Sequence, residues 1–156
     1  MRRDEAIGLI IAVISVIAAL MVAVAPIELF LSDEPLPEPP YLVITNGVIM
    51  PDQNAVWYYF WKATILLVVI FFAAFVASFF VEVRGGVRTF FAFLSFAIAA
   101  FHYLNLFTMT NSITIYPFIY ILHMKINNDI INQYYLDIGQ IFILYGIYNI
   151  WKLLKE

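Results

Sequence analysis

The sequence predicts an all-α membrane protein with four transmembrane helices and both termini cytoplasmic. An outer loop with a Pro-rich strut and a β-hairpin, and a short re-entrant or interfacial helix, complete the expected fold. Three observations lead there. Of the 156 residues, 64% are hydrophobic and 18% aromatic, and the mean hydropathy is +0.92. Only 12% are charged, about half the share with which a soluble domain coats its surface. Apolar runs of spanning length also alternate with polar segments whose basic residues favour one side of a membrane. The whole chain, 1–156, reads as a single membrane domain.

A helix needs about 20 apolar residues to cross a hydrocarbon core of about 30 Å. The first such run covers 6–26, free of charge from Ala6 to Ala25 and closed by Pro26. Arg2 and Arg3 before it, and Ala23-Val24-Ala25 at its end, imitate a secretory signal. The run exceeds a usual signal core, and Pro26 sits where the cut would fall, so a retained anchor is expected. The outer loop, 27–56, holds Glu28, Asp33, Glu34, Glu38 and Asp52 but no Lys or Arg. Pro35, Pro37, Pro39 and Pro40 fix their own φ and restrict their predecessors, which favours an extended strut. Tyr41–Thr45 and Val48–Met50 flank Asn46-Gly47, the pair that suits the two positive-φ positions of a type I′ hairpin turn.

The second span, 57–81, opens on Trp57, Tyr58, Tyr59, Phe60 and Trp61, an aromatic belt for the outer interface. Glu82 to Arg88 make a short turn, and the third span covers 89–109. Residues 113–124 are apolar but too short for a crossing, contain Pro117, and are expected to form the interfacial helix. The fourth span covers 134–154, anchored by Trp151 and Lys152. This arrangement places Arg2, Arg3, Arg84, Arg88, Lys152 and Lys155 inside and leaves Lys62 and Lys125 on or near the outside. Small residues Gly8, Ala12, Ser15, Ala19 and Ala23 share a face of the first span, as helix contacts in lipid require.

The net charge of −3 and the lack of a dense Lys/Arg run exclude nucleic acid as a partner. With no cysteine, disulfides, thiolate metal sites and a Cys nucleophile are excluded. No phosphate loop, His-Glu-x-x-His helix or nucleophile elbow is present, so no catalytic residue is named and no metal is expected.

Ionisable groups inside a span are the natural functional candidates, because burying them costs several kcal/mol unless they are paired or wet. Lys62, His102, Asn105, His123, Asp137 and Gln140 fall near one level and predict a polar layer in the outer half of the bilayer. His102 and His123 are the candidate cofactor ligands, for haem b or for a quinone or proton site with Asp137 as partner. The competing expectation is structural: each histidine is a hydrogen-bonded interface residue, Lys62 snorkels to the headgroups and no cofactor is bound. On balance the sequence points to a non-catalytic accessory subunit of a larger membrane complex, of a respiratory or other energy-transducing kind. Its partners are then the lipid bilayer and other membrane subunits. A haem or quinone redox subunit, and a small transporter using Lys62 and Asp137, are the alternatives.

Overall fold

The computed structural model describes residues 2–25, 42–51, 56–80, 82–126 and 129–155. The Pro-rich strut and acidic residues predicted over 27–41 lie outside the described residues. Four helices and five strands follow in the order α1 (Arg3–Val24), β1 (Leu42–Thr45), β2 (Val48–Pro51), α2 (Val56–Ala77), α3 (Gly85–Met109), β3 (Ile113–Tyr116), β4 (Ile119–Ile126), β5 (Asp129–Leu136) and α4 (Ile138–Leu153).

Among the described residues, three helices are long and apolar enough to cross a membrane: α1 and α2 with 22 residues each and α3 with 25. At 1.5 Å per residue they rise about 33 to 38 Å. They pack through small residues where backbones must approach. A Cβ on Gly8 would overlap the Gly86 carbonyl, so α1 and α3 run parallel with their N-terminal turns in contact. Phe60 meets Phe101 at 6.1 Å and Phe71 meets Phe91 at 5.2 Å, so α2 runs antiparallel to α3. Gly139 lies against His102 and Tyr103 and Gly146 against Phe96, which makes α4 antiparallel to α3 as well. The core between them is built from Ala19, Leu67, Phe71, Phe91, Leu94, Ile98, Ala99 and Phe142. One end of the bundle therefore collects Arg2, Arg3, Arg84, Arg88, Lys152 and Lys155. The strands lie at the other end, reaching outward from the level of the Trp57–Trp61 aromatic cluster.

The expected all-α fold is overturned by two antiparallel sheets, β1-β2 and β3-β4-β5. The first is the hairpin about Asn46-Gly47, with φ of +50° and +78° as a type I′ turn demands. The second replaces the short helix predicted over 113–124. Ile113–Tyr116 and Ile119–Ile126 are rich in β-branched and aromatic residues, which pack well on a pleated surface. Pro117 cannot continue a helix but suits the two-residue turn between Tyr116 and Ile119. The fourth span predicted over 134–154 is also corrected. Its first residues, Tyr134 to Leu136, belong to β5, and α4 has 16 residues, a rise of about 24 Å. Asp137 sets that boundary: its carboxylate caps the helix by accepting from the Gln140 backbone N–H at 3.2 Å.

The two sheets and the end of α3 form a second, smaller core. Ile44, Leu122 and Met124 are buried there with Met109, Ile113 and Tyr120 around them. Ile44 bridges Thr110, the Asn111 N–H donates to the Ile44 carbonyl at 3.1 Å, and the Lys125 N–H donates to the Gly47 carbonyl. A lone hairpin is marginal in water, and here it leans on the helix end and on β4.

Candidate functional site

The junction between the helices and the larger sheet holds a buried polar cluster. Its centre is Asp137, with no exposed surface at all. A buried carboxylate requires hydrogen bonds to offset lost hydration, and Asp137 has them. Tyr103 Oη donates to Oδ2 at 2.9 Å, Gln140 Nε2 donates to Oδ2 at 2.8 Å, and the Gln140 N–H reaches Oδ1. His102, 6% exposed, places Nε2 at 3.5 Å from Asp137 Oδ1, too far for a good hydrogen bond, and among the described residues that nitrogen has no other partner. The His102 ring lies 5.4 and 5.9 Å from the Tyr103 and Tyr120 rings, and it would be an ion-pair partner of Asp137 only when protonated.

Glycine makes this approach possible. A Cβ at position 139 would stand 2.8 Å from His102 Cδ2 and 2.9 Å from Tyr103 Cε2. Gln140 extends the cluster to the sheet. Its Nε2 donates to the Tyr116 carbonyl at 2.8 Å and its Oε1 accepts from the Phe118 N–H at 3.0 Å. The Asp137 N–H donates to the Phe118 carbonyl at 2.8 Å. Phe118, so held, has φ +63°, a left-handed conformation that is sterically costly for a bulky aromatic.

Of the predicted polar layer, His102, Asp137 and Gln140 come together. Asn105, one turn above His102, is buried, and its Oδ1 lacks a hydrogen-bond partner among the described residues. Lys62 is directed elsewhere, donating to the Ala25 carbonyl at 3.4 Å and lying 4.8 Å from the Tyr58 ring centroid. His123 is also separate. It faces the opposite side of β4 from Tyr120, Leu122 and Met124, with Nε2 2.9 Å from Thr114 Oγ1 and Nδ1 2.8 Å from Asn132 Oδ1. The structure thus gives the two histidines separate sets of neighbours.

Tyr103 is the member that the sequence did not single out. Its signal is positional: a phenol beside His102, inside α3, can turn towards a carboxylate that caps the neighbouring helix.

In β4, the Tyr120 hydroxyl titrates above its ordinary range, chiefly because burial penalises the phenolate and secondarily through Tyr135 and Asp137. Tyr120 and Tyr135 stack at 5.2 Å on neighbouring strands. Mechanically, the cluster ties α3, α4 and the β3-β4 turn together. No protein-family model, curated protein or solved structure matches the chain.

Proposed function

We propose that the chain is a multi-pass protein of the cell membrane that serves as a non-catalytic accessory subunit of a larger membrane complex. In this reading α1, α2 and α3 cross the bilayer, and the basic end of the bundle faces the cytoplasm, as the excess of Arg and Lys favours. The sheets then stand on the outer side, and the buried cluster fastens them to the helices.

The observation that carries the accessory role is β5. It is the outer strand of its sheet, all eight of its residues are exposed, and it contains neither Lys nor Pro. Ile130 is 72% exposed and Tyr134 67%. A long apolar edge of this kind is a template for another strand, and soluble monomers normally blunt it with charge, proline or a cover. Addition of a partner strand satisfies the free backbone groups of β5 and buries its side chains.

Native mass spectrometry after gentle solubilisation tests this role. The expected result is co-migration with a partner in fixed ratio, lost when Ile130 and Ile131 are both replaced by Lys. A chain that runs alone from its native membrane overturns it.

The redox reading keeps His102 as its residue in the buried layer. A Soret band in the purified protein, lost in His102→Ala, would favour that reading over the accessory role.

A further inference from the structure

We infer that the Tyr116–Ile119 turn and Leu136, at the end of the sheet nearest the helices, form an interfacial element that beds in the headgroup and acyl boundary of the outer leaflet. The inference rests on the membrane reading above and adds a lipid contact made by strands rather than helices.

Height is the first argument. Gln140 and Asp137 pin the turn to the first residues of α4 through the Tyr116 carbonyl and both backbone groups of Phe118. Gly139, in the same helical turn, abuts His102 and Tyr103, and Phe60 packs on Phe101 one residue away. The turn therefore lies level with Trp57–Trp61, where a spanning helix carries its aromatic belt. Lys62 binds the Ala25 carbonyl, so the apolar run of α1 ends near this height too.

Chemistry is the second. Tyr116, Phe118, Ile119 and Leu136 are 52, 47, 43 and 60% exposed. No Asp, Glu, Lys or Arg occurs from 113 to 124 or from 130 to 136. The charged residues of this sheet, Lys125 and Asp129, sit at its far end, next to the Ile126↔Asp129 pair. The sheet thus runs from apolar beside the helices to charged away from them, the gradient that a protein half in lipid requires.

Phe118 is the third. At φ +63° glycine or asparagine is the residue that the backbone prefers. An aromatic held there contributes its side chain, and that side chain projects out of the protein. Strained residues mark functional contacts, and Phe and Tyr at the lipid boundary supply one.

The chain has no cysteine, so single nitroxide labels can be placed without background. The full chain in nanodiscs of phosphatidylcholine and phosphatidylglycerol is labelled at Phe118→Cys, Leu136→Cys, Asp129→Cys or Ile14→Cys. Collision with oxygen is then compared with collision with a water-soluble nickel chelate. The expected result is that labels at 118 and 136 favour oxygen, 129 favours the chelate, and 14, midway along α1, is deepest. Labels at 118 and 136 that behave like 129, while 14 stays deep, overturn the lipid contact and leave the membrane reading standing; the turn then faces water or a protein. A label at 14 open to the chelate removes the membrane reading and this inference with it. Leu136 lies outside the turn, so its label reports even if replacing Phe118 disturbs the backbone.

Discussion

Replacing Asp137 by alanine removes the cap of α4 and strands the Tyr103 Oη donor, while Gln140 Nε2 keeps its bond to the Tyr116 carbonyl. Loss of an N-cap costs about 1 kcal/mol, and each buried donor left without its acceptor costs about 1–3 kcal/mol. Tyr103 is only part-buried, so the expected loss is about 2–3 kcal/mol, read as a shift in an SDS or thermal unfolding transition in mild detergent. Asp137→Asn keeps a capping oxygen and should cost less. Equal losses in the two variants would show that the carboxylate itself does not matter. At this scale His102, Asp137 and Gln140 were legible, because polar side chains within apolar runs stand out. Tyr103 was not, since a phenol inside an aromatic run looks like any other ring. His123 shared their apparent level but not their neighbourhood, because strand register decides which face it occupies, and no sequence period announces register.

Among the elements, the Asn46-Gly47 turn yields a direct test. A Cβ at Gly47 meets only ordinary contacts, the nearest being the His123 carbonyl at 3.6 Å, so the cost of Gly47→Ala is the φ of +78° alone. That cost is about 1–2 kcal/mol, seen as local loosening of β1 and β2 in amide exchange while α1 to α4 stay protected. Tyr120 adds a pH dependence. Its folded hydroxyl holds its proton above the ordinary phenol value of about 10. Its contribution is therefore complete below that pH and is lost as pH rises through the folded value. Unfolding measured from pH 9 to pH 12 should show a decline that is shallower in Tyr120→Phe; identical curves would refute the assignment. The three long helices and the first hairpin could be read from hydropathy and from Asn-Gly. The second sheet could not, because its strands are apolar on both faces. Without alternation, Ile113–Met124 gives no period that separates strand from helix. Tyr134–Leu136 merged with α4 for the same reason, although Asp137 and Gln140 carry the spacing of a helix start.

For the molecule as a whole, the two ends of the bundle differ in charge, and the proposed orientation follows from that difference. Asn46→Cys should react with an impermeant maleimide added to intact cells, whereas Val83→Cys, in the segment between α2 and α3, should react only after permeabilisation. The reverse pattern would invert the orientation, and labelling of both without permeabilisation would remove α2 as a crossing.

The parallel contact of α1 with α3, through Gly8 and Gly86, has a consequence for biogenesis. α1 emerges from the ribosome long before its main neighbour exists, and on the proposed membrane reading α2 is inserted in between. Until Gly86 arrives, the small-residue stripe of α1 faces lipid or an insertase rather than its mate. A nascent chain arrested after α2 should therefore crosslink from Ala12 to the insertion machinery, and extension past α3 should release it. On that reading the order of synthesis and the order of assembly are out of step, and the crosslink measures how long the first helix waits.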